Sequence, residues 1–270
     1  MTPFPLTWLY APGDRPHVVT KALARGADVV VIDLEDAVAP DRKEYARAAT
    51  AERLAEPQRV PVHVRVNALD GPWAAADLAA LATLPGVTGL RLPKVSCAGQ
   101  VRQAAVTTAR PLYALLESAL AIEHAYAIAA AHPSLRGISL GEADLRADLG
   151  VRADTGLDWP RSRVVVAARA AGLPPPPQSV HPDIRDLDGL AASCARGRAL
   201  GFLGRAAIHP RQLPVIERAY LPTPAELEHA ETIIKAAATD QGAQALPDGR
   251  FVDAAAVAAA RRTLSLARRE

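Results

Sequence analysis

The feature that most constrains the fold is an alternation of short β-rich runs with helical patterns over the first 220 residues. Several of the β-rich runs are apolar through their middles, as expected for parallel strands that helices cover on both faces. The eight candidate strands lie at residues 7–11, 28–35, 60–67, 89–95, 111–117, 137–140, 178–184 and 202–210. Eight strands, each followed by helical material, predict an α/β TIM (β/α)8 barrel. The alternative, a doubly wound sheet, usually carries GxGxxG after its first strand, and YAPGDRP lacks that motif.

The alternation stops after residue 222, where the sequence changes to helical patterns alone. TPAELEHAETIIKAAAT has a good helix start, and a polar turn, DQGAQALPDGRF, separates it from a last helix that begins near Asp253. We therefore predict a catalytic barrel domain over residues 1–222 and a C-terminal helical extension or lid over residues 223–270.

Composition excludes several classes of protein. The net charge is +2 with dispersed Lys and Arg, which argues against a nucleic-acid partner. The two cysteines form no CxxC pair, which argues against a zinc site or a disulfide framework. No apolar run approaches the roughly 20 residues that a membrane span needs, and the N-terminal residues do not resemble a signal peptide. We expect a soluble cytoplasmic protein without a membrane partner.

Charged side chains follow most of the middle strands, where a barrel of this kind places its chemistry. They are Asp33, Glu35 and Asp36 at the end of the second strand, Arg65 on the third, Lys94 on the fourth, Glu117 on the fifth, and Glu142 with Asp144 after the sixth. These charges could simply pair with one another. Because so many strands contribute, and because isolated charges are costly to desolvate, the whole set favours a functional site.

Two of the carboxylates predict a metal. Glu117 and Asp144 come from neighbouring strands and form a hard oxygen site with open positions, which suits Mg²⁺. His181 and His209 each precede a proline, so a turn or packing role is favoured for both. Asp14 and Arg15 fit a helix N-cap and its neighbour, or an anion contact at a helix start, and these two interpretations are compatible.

A series of motifs resembles one known family. The motifs are WLYAPGDRP, ADVVVIDLEDAVAPDRK, VRVN, LPKV, LLES, GEADLRADLG, RSRVVVAARAAGLP, DIRDLDGL and AIHPRQLPVI. In this order they resemble the citrate lyase beta subunit-like proteins of the HpcH/HpaI aldolase superfamily, which includes malyl-CoA and citramalyl-CoA lyases. The resemblance covers nearly the entire chain.

The resemblance implies a function and a set of site residues. It implies a TIM barrel, commonly a homotrimer, that uses Mg²⁺ to cleave or form a 3-hydroxyacyl-CoA thioester, with acetyl-CoA or a related acyl-CoA and a 2-oxo acid as the other reactants. Its small-molecule partners would be that acyl-CoA and oxo acid. The implied residues are Glu117 and Asp144 as metal ligands, Arg65 for substrate and enolate charge, Glu35 and Asp36 beside the metal's waters, Arg15 and Lys94 for coenzyme A, and Asp253 entering a neighbouring subunit's site.

The chain also departs from the family pattern. Leu6 stands where an arginine is usual, and ESALA places Leu120 where ETARG has its arginine. The usual GAEDL reads GEADL, with Glu142 one position early and Ala143 in its place. On a strand, that shift would turn the carboxylate to the opposite face. Asp253 also has a second interpretation, as the N-cap of the last helix.

Three other functions stay open at this stage. One is a citrate lyase beta subunit that acts on a citryl-carrier protein within a complex. Another is a CoA-independent 2-oxo-acid aldolase of the same superfamily. The third is a regulatory binding module without turnover, which Leu120 and Ala143 suggest.

Overall fold

The computed structural model describes residues 4–239, 244–245 and 251–267. The chain divides into two compact units, one over Leu6–Glu217 and a second that contains the residues from Arg218 onward. The division predicted after residue 222 stays a prediction.

The first unit is built on a parallel sheet of seven strands in an α/β fold. The strands follow the order β6-β5-β4-β3-β2-β1-β7, and every neighbouring pair is parallel. Their bounds are β1 Thr7–Pro12, β2 Val29–Asp33, β3 Val62–Arg65, β4 Gly89–Leu92, β5 Leu112–Leu116, β6 Leu135–Leu140 and β7 Arg205–Ala207. Each of these seven strands overlaps its predicted range; the second, third, fourth, fifth and seventh are shorter than predicted, and the first and sixth are slightly longer.

Helices separate the strands, as the apolar spacing predicts. Their bounds are α1 Pro16–Leu23, α2 Lys43–Leu54, α3 Ala74–Leu81, α4 Ala98–Thr107, α5 Ala119–Glu123, α6 Ala125–Ala129, α7 Glu142–Asp148, α8 Asp158–Ala170, α9 Leu187–Ala199 and α10 Leu213–Tyr220. The strands are rich in Val, Ile and Leu because both faces are covered; all five residues of β2 are buried.

The strand predicted over residues 178–184 is wrong. In the described residues this segment makes a single parallel bridge, from Gln178 to Arg205 of β7. The four prolines at 174–177 and the proline at 182 have no N–H group to donate, so a continuous ladder cannot form here. The segment still runs beside β7, because Gln178 N donates to Gly204 O and Gln178 O accepts from Ala206 N.

The second unit contains two further helices, α11 Pro224–Thr239 and α12 Ala254–Ala267. Thr223 and Glu226 form reciprocal hydrogen bonds at the start of α11, the capping arrangement that TPAE predicts. A two-stranded antiparallel ladder pairs β8 Gln244–Ala245 with β9 Phe251–Val252. Buried Ala230, Ile233, Val252 and Ala260 form the apolar core of this unit. No helix in the described part of the chain is long and apolar enough to cross a bilayer.

Candidate active site

A cavity of about 450 Å³ lies where the carboxyl ends of the parallel strands meet. Its polar walls come from strands far apart in sequence, as in other parallel α/β folds. The charged and aromatic side chains that line it are Tyr10, Asp33, Asp36, Arg65, Arg91, Glu117, Glu142 and Asp144. The structure thus brings the two predicted metal carboxylates and the predicted substrate arginine into one cavity.

Asp33 holds Arg65 in a bidentate ion pair. The two residues are register partners on β2 and β3, and Arg65 Nε and Nη2 donate to the two Asp33 oxygens at 2.7 and 2.6 Å. Asp33 also accepts the backbone N–H groups of Glu35 and Ala37, which fixes the loop after β2. Although burial opposes the charged form, these bonds to Asp33 raise the pKa of Arg65 well above its usual value. The guanidinium is therefore a permanent, oriented cation.

Glu35 lies between two cations. Its Oε2 is 2.8 Å from Arg65 Nη1, without the alignment of a hydrogen bond, and its Oε1 forms a short contact with Lys94 Nζ. Burial raises the pKa of Glu35, and the charges of Arg65 and Lys94 act in the opposite direction. Buried Lys43 supports the same loop, since its ammonium donates to the carbonyl oxygens of Leu34 and Glu35.

Asp36 is the more exposed acid of this loop, with 54% of its side chain accessible. It lies 3.4 Å from both Arg65 Nη1 and Lys94 Nζ. Burial would raise its pKa, but the charges of Arg65 and Lys94 outweigh that effect and lower it. Glu35 and Asp36 therefore both form ion pairs with Arg65 and Lys94.

Lys94 connects this loop to Glu117. It is the one non-glycine residue with positive φ among the described residues, at 54°, and its backbone N–H donates to Glu117 Oε2 at 2.8 Å. A left-handed conformation at a side-chain-bearing residue is unfavourable and is concentrated at functional sites. Its ammonium pairs with Glu35 and Asp36, whose charges raise the pKa of Lys94 despite burial.

Glu117 and Asp144 have the properties of a divalent-cation site. Glu117 is buried, and burial followed by the negative charges of Glu35 and Asp144 raises its pKa to about 7. A Cβ atom on Gly141 would lie 2.3 Å from Glu117 Oε1, so only glycine leaves room for this carboxylate. Asp144 follows on the first turn of α7.

The donor set fits Mg²⁺. The charges of Glu35 and Asp144 oppose ionisation of Glu117, and a dication would offset that opposition. Within the residues that the structure describes, no group of three or more His, Cys, Asp or Glu side chains is placed to hold a metal. Mg²⁺ is often held by one or two protein carboxylates, with water and substrate oxygens in the remaining positions, and Glu117 and Asp144 fit that pattern.

The early position of Glu142 does not have the expected consequence. Residues 142–148 are helical rather than extended, so a shift by one position does not reverse the face. Glu142 instead forms a bidentate pair with buried Arg161, at 2.9 and 2.7 Å. Arg161 also contacts Asp154, and together these acids raise its pKa. This network fixes the start of α7 and hence the position of Asp144.

Asp14 and Arg15, which the sequence suggested as a helix cap or an anion contact, do not line the cavity. Arg15 has a 61% exposed side chain, and its nearest acid is Asp14 at 3.9 Å. The interpretation of Asp14 as an N-cap is wrong, because Arg15 occupies that position before α1 and no side chain caps the helix. His209 does have the predicted turn role, since its Nδ1 accepts from Arg211 N.

Asp253 caps the last helix, as one of its two interpretations predicts. Its Oδ1 accepts from Ala256 N at 2.8 Å at the start of α12. Residues 240–243, 246–250 and 268–270 of the predicted extension or lid lie outside the described residues. The role of Asp253 in a neighbouring subunit's site stays a prediction.

Three residues of the cavity were missed by the sequence reasoning. Asp33 was noticed only as one of several acids, although parallel register with the third strand would have paired it with Arg65. Arg91 on β4 lines the cavity and was read as part of an apolar strand. Tyr10 lies with its ring centroid 5.5 Å from the Arg65 guanidinium carbon. The search for charged residues at strand ends does not find Tyr10, which is uncharged, or Arg91, which lies within its strand.

A parallel α/β sheet whose carboxyl ends bring Glu117 and Asp144 to one cavity with a fixed guanidinium is typical of enzymes whose chemistry a metal assists. Comparison with known proteins gives the family. The model described as HpcH/HpaI aldolase/citrate lyase matches residues 6–210. The chain belongs to this family, and the enzyme is a lyase.

The relatives agree with that assignment. A (3S)-malyl-CoA thioesterase of Cereibacter sphaeroides is 38% identical over 96% of this chain and 93% of its own length. An L-malyl-CoA/beta-methylmalyl-CoA lyase of the same species is 33% identical over 92% and 90%. The CitE protein of Mycobacterium tuberculosis, solved with magnesium, acetoacetate and coenzyme A, is 37% identical with a TM-score of 0.84 over 98% of both chains.

Proposed function

We propose that the protein is a Mg²⁺-dependent carbon–carbon lyase. It would cleave, or form, a short 3-hydroxyacyl-CoA thioester, with acetyl-CoA or a related acyl-CoA and a 2-oxo acid as the other reactants. The observation that carries the proposal is the placement of Glu117, Asp144 and Arg65 around one cavity. The malyl-CoA lyase relative and the magnesium and coenzyme A complex of the CitE relative support it.

Glu117 and Asp144 would hold the metal. When bound, Mg²⁺ supplies Lewis acidity to the oxygens of the 2-oxo acid. The fit rests on the raised pKa of Glu117 and on the space that Gly141 leaves for its carboxylate.

In the cleavage direction, the bond between C2 and C3 of the hydroxyacyl thioester breaks. The hydroxyl group loses its proton to a carboxylate of the cavity wall and becomes the oxo group of the acid. The bonding electron pair moves to the thioester carbonyl, which gives the acyl-CoA enolate. Arg65 would face that oxygen, because Asp33 orients its guanidinium. One preorganised donor of this kind is typically worth about 3 kcal/mol in the transition state.

Protonation of the enolate carbon completes the cleavage, and removal of a proton from that carbon begins the condensation. We assign this transfer to Asp253 of a neighbouring subunit in a homotrimer, with the C-terminal helical extension as its lid.

We further propose that residues 176–180 occupy the eighth position of a TIM barrel, since Gln178 already bonds to β7. Glu35 and Asp36 would border the metal's waters, and Arg15 and Lys94 would contact coenzyme A.

The direct test is a condensation assay. Purified protein is incubated with acetyl-CoA or propionyl-CoA and with glyoxylate, pyruvate or oxaloacetate, in Mg²⁺ or in excess chelator. We expect a hydroxyacyl-CoA product in at least one pair with Mg²⁺ and none with chelator. Asp144→Asn should remove the product, and Asp148→Asn, on the same helix, serves as the control. Turnover that survives both chelation and Asp144→Asn contradicts the proposal.

Thioester hydrolysis is the second candidate function. The thioesterase relative matches almost the full length of both chains at 38% identity, which favours it. Release of free thiol from malyl-CoA without release of an oxo acid would identify hydrolysis. Release of glyoxylate and acetyl-CoA in equal amounts, without free thiol, would identify the lyase.

A further inference from the structure

Arg91 is a buried cation for which the proposed chemistry has no use. It lies on β4, is 2% exposed, and lines the same cavity as Glu117 and Asp144. Its register partners are Arg65 on β3 and Tyr113 on β5. A guanidinium is always protonated, so the cavity floor carries a full positive charge.

Among the residues that the structure describes, this charge has no anionic partner. Arg91 Nε is buried without a hydrogen-bond partner, and no ion pair with a carboxylate is found for it in the described residues. Its neighbours are aromatic: the guanidinium carbon lies 5.9, 6.0 and 5.7 Å from the ring centroids of Trp8, Tyr10 and Tyr113. Nearby His63 cannot compensate, because it is neutral or cationic and burial followed by the Arg91 charge lowers its pKa.

Arg65 shows the contrast. It shares Tyr10 as a neighbour with Arg91, yet it contacts Asp33, Glu35 and Asp36. A buried guanidinium without an acceptor carries a large desolvation cost, and the three aromatic contacts offset it only in part, because a ring face supplies no oxygen to the N–H groups. A guanidinium kept at such a cost on a cavity wall is matched to an anionic group that arrives with the ligand.

We infer that Arg91 binds a second carboxylate of the 2-oxo acid, so that the protein prefers a dicarboxylic 2-oxo acid to a monocarboxylic one. The inference rests on the proposed function, in which the first carboxylate and the oxo group of the acid would bind the metal held by Glu117 and Asp144. A planar guanidinium presents paired N–H donors that match a carboxylate. Arg91, Glu117 and Asp144 line one cavity of about 450 Å³, so one small acid could contact Arg91 and the proposed metal together.

The test is calorimetric titration of the Mg²⁺-loaded protein with freshly dissolved oxaloacetate and, separately, with pyruvate. Wild-type protein should bind oxaloacetate at least about tenfold more tightly, the value of one charge-assisted contact. Arg91→Met should weaken oxaloacetate binding about 10- to 100-fold and change pyruvate binding less than about threefold. Arg91→Lys should retain part of the preference.

The matched control is Arg205→Met. Arg205 is 4% exposed and also has a buried Nε without a partner, but it bonds to Ser193 and lines a different cavity. This variant should keep the wild-type preference. Melting of the ligand-free proteins gives a second readout: Arg91→Met should melt at or above wild type, because it removes an uncompensated charge.

Each outcome has one meaning. Equal affinity of the wild type for the two acids, or an unchanged preference in Arg91→Met, overturns the inference and leaves the proposed lyase intact. A lower melting temperature for Arg91→Met together with an unchanged preference identifies a structural role and also overturns it. Failure of wild-type protein to bind either acid with Mg²⁺ overturns both the inference and the proposed oxo-acid site.

Discussion

The backbone N–H of Lys94 donates to Glu117 Oε2 at 2.8 Å from a residue whose φ is 54°. The left-handed turn at the end of β4 thus points a main-chain donor at a carboxylate at the end of β5. Lys94 links the acidic loop after β2 to the predicted metal ligand, because its ammonium pairs with Glu35 and Asp36.

The conformation of Lys94 predicts a difference between two variants. Lys94→Gly and Lys94→Ala both remove the ammonium and its ion pairs, but only glycine adopts positive φ without steric cost. Lys94→Gly should therefore be more stable than Lys94→Ala by about 1 kcal/mol, measured by chemical denaturation. Equal stabilities would show that the turn is not left-handed.

The raised pKa of Glu117 predicts a pH dependence of stability. Without divalent ions the folded protein keeps the Glu117 proton up to about pH 7, whereas the unfolded chain releases it near the usual glutamate pKa of 4.5. The folded state binds more protons in this window, so its free energy of unfolding falls as the pH rises from 4.5 to 7. The contribution is at most about 3 kcal/mol.

Glu117→Gln should remove this part of the slope. The measurement is the difference in unfolding free energy between wild type and Glu117→Gln at each pH, since other groups contribute to both. Glu123→Gln, at an exposed position of α5, is the control and should retain the wild-type slope. A wild-type curve parallel to that of Glu117→Gln would contradict the assigned burial of this carboxylate.

The pair of Asp33 and Arg65 predicts non-additive effects. Removing Arg65 leaves buried Asp33 without its cation, so Arg65→Met should cost about 3–5 kcal/mol. Removing Asp33 leaves Arg65 with its ion pairs to Glu35 and Asp36, so Asp33→Asn should cost less. The double variant removes both charges and should be more stable than the sum of the single effects predicts, by about 1–3 kcal/mol. Additive effects in urea denaturation would show that the two side chains do not interact.

Asparagine separates the two interpretations of Asp253. Asn caps helices about as well as Asp, so Asp253→Asn should preserve the hydrogen bond to Ala256 and the melting temperature. It cannot exchange a proton as a carboxylate does, so lyase turnover should fall by about 100-fold or more. Full activity in Asp253→Asn would leave this residue with the capping role alone.

Much of the fold could be predicted because apolar strands alternate with amphipathic helices, and both patterns are local. The strand predicted over residues 178–184 was wrong, because this proline-rich part of the chain makes only a few hydrogen bonds to β7. The spacing of apolar residues in the sequence does not reveal such contacts. Charges that follow a strand end were found from the sequence, and two of them, Glu117 and Asp144, line one cavity in the structure.

The rest of the site depends on tertiary contacts. In the sequence, Arg91 is a single charge within an apolar run. Its possible role is indicated only by the structure, in which no acidic partner is found for it among the described residues. Gly141 is informative only once the Glu117 side chain lies against it. The consequence of the early position of Glu142 was mispredicted because β6 ends two residues before it, at Leu140, and because its partner, Arg161, lies on α8.

The central claim is that Glu117 and Asp144 bind one divalent ion. Mn²⁺, an oxygen-binding substitute for Mg²⁺, can be located by anomalous scattering from a crystal soaked with the ion and pyruvate. We predict a single peak about 2 Å from a carboxylate oxygen of each residue, and its loss in Asp144→Asn. A peak bound elsewhere, or a peak that persists in Asp144→Asn, would contradict the claim.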